Sequence, residues 1–371
     1  MSKKIIIAPD SFKGTMSAKE VCSIISERIL AIDPETRIVC VPMSDGGEGM
    51  VEAYAERLGG KLGFIPVTGP KLTEVDCPYA ILPDGTAVME MAGAAGLPLM
   101  GKELDPLGAV TTGVGEAIKS FANMGCEKLL MGLGGSATND CGIGMAYALG
   151  YRFFDENGTE LEARAFNLSR VEHIVPPEKK LEISVTAACD VSNPLCGEKG
   201  SAAVFGPQKG LQPEQIKPHN DAMAHFAQII KKDLGLDVAD MAGAGAAGGL
   251  GAGVVAFLGA ALTPGIEMLL DTVNFDALAK DADLIITGEG RLDGQSTAGK
   301  VPVGVASRAK KAGVPCIALC GCLGKDADKA LEYGINACYG ATEEGRAMDE
   351  LVKTCRSDLA LLTDSVMKNY I

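Results

Sequence analysis

Both ends of the chain alternate short β-branched runs with helical stretches, a pattern that commits them to a parallel sheet covered on two sides. Residues 4–8 are apolar at successive positions, which suits a strand buried on both faces. Ser17, with Glu20 three residues later, predicts a capping box that opens an amphipathic helix ending near Asp33-Pro34. Residues 37–41 predict a second strand, and a Gly-rich turn then leads into a helix closed by Gly59-Gly60. The C-terminal stretch repeats the rhythm, with strands at 284–287, 315–319 and 335–339 and helices over 301–312 and roughly 348–369. The middle is different: strand candidates at 87–91, 128–131 and 183–188 are separated by Gly/Ala-rich stretches and Pro-containing loops. The expected fold class is α/β, an open parallel-sheet domain of residues 1–63 and 284–371 with a second α/β domain, 64–283, inserted into it. A cleft between two such domains is where chemistry is expected.

Composition removes several classes of function. The 371 residues carry 34 Lys+Arg against 48 Asp+Glu, a net charge of −14, which argues against nucleic-acid partners and anionic membrane surfaces. The most apolar stretch, residues 248–262, is short and studded with glycine, so no membrane span is expected. The N-terminal apolar run is too short for a signal peptide. Most of the 12 cysteines stand singly in apolar segments, and Cys320 and Cys322 lack the spacing of a zinc or thioredoxin-like site. Reduced thiols in a soluble, cytoplasmic protein are the expectation.

Nearly half of the 47 glycines fall in six short polar segments: 10–17, 44–49, 132–144, 190–210, 243–253 and 288–300. Such clusters point to loops where backbone approaches a ligand or adopts positive φ. Residues 132–140 follow an apolar strand and lead into an apolar helix, an arrangement that offers N–H groups to an anion; Asp140 could cap that helix or reach a metal. Residues 294–301 approach P-loop spacing, yet Val301 stands where the Mg²⁺-binding hydroxyl belongs, so Lys300 and Arg291 are read as binders of carboxylate or phosphate. Residues 243–248 match a dinucleotide fingerprint, but no β-branched strand precedes them, which favours a loop or close helix packing over NAD. Carboxylates recur beside these glycines, and Asp10, Asp45, Asp190 and Glu289 follow or nearly follow predicted strands, where open α/β folds bind ligands. Anion-cradling amides, cations and carboxylates for Mg²⁺ and for a base together make up the inventory of phosphoryl transfer.

The segments Ala8-Pro-Asp-Ser-Phe-Lys-Gly14, Asp45-Gly-Gly-Glu-Gly49, Gly134-Gly-Ser-Ala-Thr-Asn-Asp140, Cys189-Asp-Val-Ser-Asn-Pro-Leu195, Val204-Phe-Gly-Pro-Gln-Lys-Gly210 and Gly288-Glu-Gly-Arg-Leu-Asp293 resemble, in order, the blocks of bacterial type-1 glycerate kinases. Met50 and Cys141 depart from that pattern without touching a charged position. The resemblance implies a Rossmann-like domain interrupted by a second α/β domain. It also implies ATP-dependent phosphorylation of D-glycerate with Mg²⁺, 2-phosphoglycerate being favoured over 3-phosphoglycerate. A kinase of a related small hydroxy acid and a non-catalytic nucleotide- or metabolite-binding protein are the alternatives. Its partners would be glycerate and ATP, with a homodimer left open.

Roles within that reaction follow from residue chemistry. Lys13, Arg291 and Lys300 suit the substrate carboxylate, Lys13 being placed in the catalytic machinery. Asp10, Ser11, Asp45 and Glu48 suit the substrate's hydroxyls. Asp190 is the expected base on the attacking hydroxyl, or else a Mg²⁺ ligand, and Glu289 and Asp293 are the expected metal carboxylates. Gly134, Gly135, Ser136, Thr138, Asn139 and Asp140 are expected to cradle the nucleotide's phosphates.

Overall fold

The computed structural model describes residues 2–43, 49–297 and 299–371. It is a mixed α/β protein of two compact units, one made of residues 1–45 and 266–371 and the other of the inserted segment 46–265. The N-terminal segment supplies β1 (Lys4–Pro9) and β2 (Arg37–Cys40). The inserted segment supplies β3 (Lys61–Thr68), β4 (Glu74–Ile81), β5 (Ala87–Glu90), β6 (Lys128–Gly132), β7 (Arg152–Phe154), β8 (His173–Val175), β9 (Ser184–Ala188) and β10 (Ala261–Thr263). The C-terminal segment adds β11 (Leu284–Gly288), β12 (Arg291–Leu292), β13 (Cys316–Leu323) and β14 (Ala337–Thr342).

In the discontinuous unit the strands pair in parallel in the order β14-β13-β11-β1-β2, with the two-residue β12 running beside β13 beyond the end of β11. Ile5, Ile6 and Ile7 stand opposite Leu284, Ile285 and Ile286. Their side chains alternate between the faces of the sheet. Ile5 and Ile7 pack with Val21, Ile25, Leu359 and their neighbours from the helices Ala18–Ile32 and Met348–Met367, and helix Val301–Ala312 packs on β11 and β13. The Ser17–Glu20 capping box forms, with each residue bonding the other's backbone amide. The chain leaves β1 toward β2 and later returns on the other side of β1, so the switch point of this doubly wound order lies between β1 and β11. Their carboxyl ends are Pro9 and Gly288.

The inserted unit has a mixed sheet in the order β10-β9-β6-β5-β4-β3, in which β3 and β4 form an antiparallel hairpin. This hairpin has no counterpart among the strands expected from sequence. Gly63 and Pro66 interrupt β3, Pro66 being tolerated at an edge, and only Ile65 and Val67 turn inward. Helices Thr112–Asn123, Pro213–Leu234 and Ala246–Leu258 complete the core with the sheet.

The division by contacts differs from breaks at 63 and 283, for local reasons. Glu90, at the end of β5, accepts from Gly49 N at 3.1 Å, which ties helix Met50–Leu58 to the inserted sheet. Arg308 joins Glu267 and Asp276 at 2.5 and 2.9 Å, and Asp283 accepts from Lys4 N, so the stretch after 265 belongs with the terminal strands. Among the described residues no cysteine is in a disulfide, and no helix is long and apolar enough to cross a membrane.

Candidate active site

At the switch point of the discontinuous unit lies a cavity of about 430 Å³. It is lined by Asp10, Ser11, Lys13, Glu289, Arg291, Asp293 and Lys300, among others, so seven of the residues singled out from sequence share one wall. Asp10 follows β1 directly. Its backbone amide prolongs the β1–β11 ladder to Gly288 O, and its carboxylate accepts from Ser11 N at 2.7 Å. Phe12–Met16 then make a tight turn that presents Lys13 to solvent. Gly288 has no room for a side chain, because a Cβ there would lie 1.8 Å from Leu319 O. The backbone therefore brings Glu289 close to the start of the Gly321–Gly324 segment, whose amides bond Glu289 O, Gly290 O and Leu292 O.

Glu289 is buried, and burial pushes its carboxyl above the ordinary range; Ser296, Lys300 and Lys13 oppose that shift, while Asp293 adds to it. Its Oε1 has no hydrogen-bond partner among the described residues. Arg291 bridges Asp293 at 3.3 Å and Glu344 at 2.7 Å, and Asp293 also accepts from Gln295 N. Lys300 stands at the N-cap of helix Val301–Ala312. Among the described residues no group of three or more His, Cys, Asp and Glu forms a metal cage. One or two carboxylates with phosphate oxygens and waters suffice for Mg²⁺, and the unpartnered Glu289 oxygen fits that mode.

The inserted unit has its own cavity, of about 310 Å³, lined by Gly134, Gly135, Ser136, Asp190 and Lys209 together with apolar side chains such as Leu133 and Phe205. The loop after β6 is pinned to 95–97 by Leu97 N to Gly135 O and Ala137 N to Ala95 O. Gly134 faces open space. Asp190, just past β9, is exposed and accepts from Gly265 N at 2.8 Å.

Thr138, Asn139 and Asp140 do not line this cavity; all three are fully buried. Asp140 accepts from Thr111 N and Oγ1 and from Gly142 N, and Thr111 Oγ1 accepts from Met145 N. The first amides of helix Ile143–Ala148 are thereby used internally, and that short helix starts beyond the loop rather than at its end. Burial pushes the Asp140 carboxyl up against those donors. Asp45 and Glu48 lie outside the described residues.

Lys209 is the residue that sequence reasoning missed. Its neighbourhood was visible only as the Phe-Gly-Pro-Gln-Lys-Gly run, in which a lysine reads as solvated. Instead it is buried, and its Nζ donates to Ser136 Oγ at 2.6 Å and Thr138 O at 2.7 Å. The 243–248 run also acquires a role. Gly248 sits against Thr138 O, where a Cβ would approach to 1.9 Å, and Gly248 O accepts from Cys141 N. These glycines support the loop from behind, as close packing.

A family model described as the glycerate kinase family matches residues 5–370. A glycerate kinase of Halalkalibacterium halodurans is 43% identical over 354 residues, 94% of this chain and 93% of that protein. A glycerate 2-kinase of Escherichia coli K12 is 42% identical over 353 residues, 94% and 92% of the two chains. A crystal structure of a Salmonella typhimurium LT2 protein assigned as glycerate kinase 2 superposes with a TM-score of 0.87 at 38% identity, covering 100% of this chain and 98% of that one.

Proposed function

The chain belongs to the glycerate kinase family, and from that membership we propose that it transfers the γ-phosphoryl group of ATP to D-glycerate with Mg²⁺, giving 2-phosphoglycerate. The observation that carries the substrate side is the cavity at the ends of β1 and β11, where four cations and six carboxylates share a small volume. A hydroxy acid of three carbons needs that mixture: cations for its carboxylate and acceptors for its hydroxyls. Lys13, Arg291 and Lys300 take the carboxylate. Asp10 and Ser11, with Asp45 and Glu48, take the hydroxyls.

Asp190 removes the proton of the attacking hydroxyl as it adds to the γ-phosphorus. Gly134, Gly135 and Ser136 meet the phosphoryl oxygens, the two glycines letting the backbone come close. Glu289 and Asp293 would hold a Mg²⁺ ion, which would supply charge neutralisation to the transferring phosphoryl group. The relative named for 2-phosphorylation supports the choice of hydroxyl. Incubation with ATP, Mg²⁺ and D-glycerate, with ADP followed enzymatically and the product identified by phosphorus NMR, tests the whole reading. ADP release with a 2-phosphoglycerate signal is expected. A 3-phosphoglycerate signal overturns the regiochemistry, and absence of ADP or its persistence after chelation of the metal overturns the ATP or Mg²⁺ requirement.

A further inference from the structure

Lys209 is a buried ammonium beside a cavity, and the roles above leave it unused. Two of its donors are committed, to Ser136 Oγ and to Thr138 O. A serine hydroxyl that accepts from an ammonium keeps its own proton for a further acceptor. Among the described residues Ser136 has no such acceptor, and it lines the cavity together with Gly134 and Gly135. We propose that Lys209 is a positioning residue for phosphoryl groups: by donating to Ser136 Oγ it turns the serine proton toward the cavity, where Ser136 binds a phosphoryl oxygen of a nucleoside triphosphate. The inference rests on the reading of this cavity as the nucleotide site.

The surroundings support a polarised relay. Burial brings the Lys209 ammonium down to about 7, against the pull of Asp140, so an anion in the cavity favours the charged form and is favoured by it. Thr138 and Asn139, next along the loop, are wholly buried, and Asn139 is held by Ser201 Oγ and His219 Nε2. The loop that carries Ser136 is thus fixed before ligand arrives, as a charge-assisted donor requires.

Steady-state kinetics of the full-length enzyme, with ATP and D-glycerate varied in turn, compare wild type with Lys209→Met, Lys209→Gln, Ser136→Ala and Gly134→Leu. Lys209→Gln keeps a donor without the charge, and Gly134→Leu fills the open side of the cavity. KM for ATP is expected to rise about tenfold or more in the Lys209 and Ser136 variants, with KM for glycerate within about twofold of wild type. The Lys209→Gln/Ser136→Ala double variant is expected to be no worse than the weaker single, because both act through one hydrogen bond. An unchanged KM for ATP in Lys209→Gln and Ser136→Ala, alongside a raised one in Gly134→Leu, overturns the role of Lys209 and leaves the nucleotide site standing. An unchanged KM for ATP in Gly134→Leu overturns the nucleotide site itself. Thermal melting establishes that each variant is folded, and if Lys209→Met is not, the other variants decide.

Discussion

Asp190 has one carboxylate oxygen held by the Gly265 amide, so the group is oriented while it stays open to solvent. The proposed role as general base tolerates no amide in its place: Asp190→Asn is expected to lose at least about 100-fold in kcat with an unchanged melting temperature. Lys13 is placed by a turn and exposed. Lys13→Ala is expected to raise KM for glycerate more than it lowers kcat, the pattern of binding shared by ground and transition states. An unchanged KM would remove Lys13 from the carboxylate. Asp10 and Glu289 were readable in the sequence because each follows a strand that itself reads cleanly. Thr138, Asn139 and Asp140 misled for a physical reason: in a Gly-rich loop, the side chains that could hold a phosphate are the same ones that satisfy buried backbone. Lys209 was unreadable because its burial depends on packing far along the chain.

Helix Ala246–Leu258 shows how one element shapes another. Ala247, Gly248 and Gly249 adopt left-handed backbone inside it, and this lets the chain press against Thr138 O. Gly248→Ala would add both a clash and an unfavourable φ of +71°. It is expected to cost at least about 2 kcal/mol, read as a lower denaturation midpoint. Periodicity located the terminal strands and helices to within a few residues, since continuous apolar runs and a capping box leave few alternatives. It passed over the β3–β4 hairpin, whose outer strand exposes Leu62 and Phe64 and contains Gly63 and Pro66. An edge strand has one neighbour to satisfy, so its sequence is the least constrained.

For the molecule as a whole, the buried lysine has a consequence for stability. Folding lowers the affinity of Lys209 for its proton, so between pH 7 and its ordinary 10.5 the unfolded chain holds a proton that the folded chain gives up. Stability therefore rises with pH across the lower part of that window, by at most about 1.4 kcal/mol per unit for one proton. His219, lowered by burial from 6.5, acts below the window. Nine thiols held above 9 by burial, among them Cys196 and Cys338 at about 11, oppose that rise and cancel it from about pH 8, where the thiols of the unfolded chain begin to ionise. Chemical denaturation at pH 7, 8 and 9 should show wild type gaining stability relative to Lys209→Met as pH rises, since the thiols act alike in both; parallel curves would show that the folded lysine keeps its proton.

The pairing of β1 with β11 also sets a timetable for synthesis. Ile5 finds its partner in Leu284, and the sheet gains β13 only at residues 316–323, whereas the inserted unit is one continuous stretch. On the ribosome the inserted unit can assemble while β1 still waits for its neighbour. Once folded it replaces a long flexible loop with a compact body and reduces the entropy lost when the two ends of the chain meet. The cavity at the ends of β1 and β11, lined by Asp10–Lys13, Glu289–Arg291 and residues 341–346, is thereby among the last parts of the molecule to form, and it cannot exist before the final strands emerge.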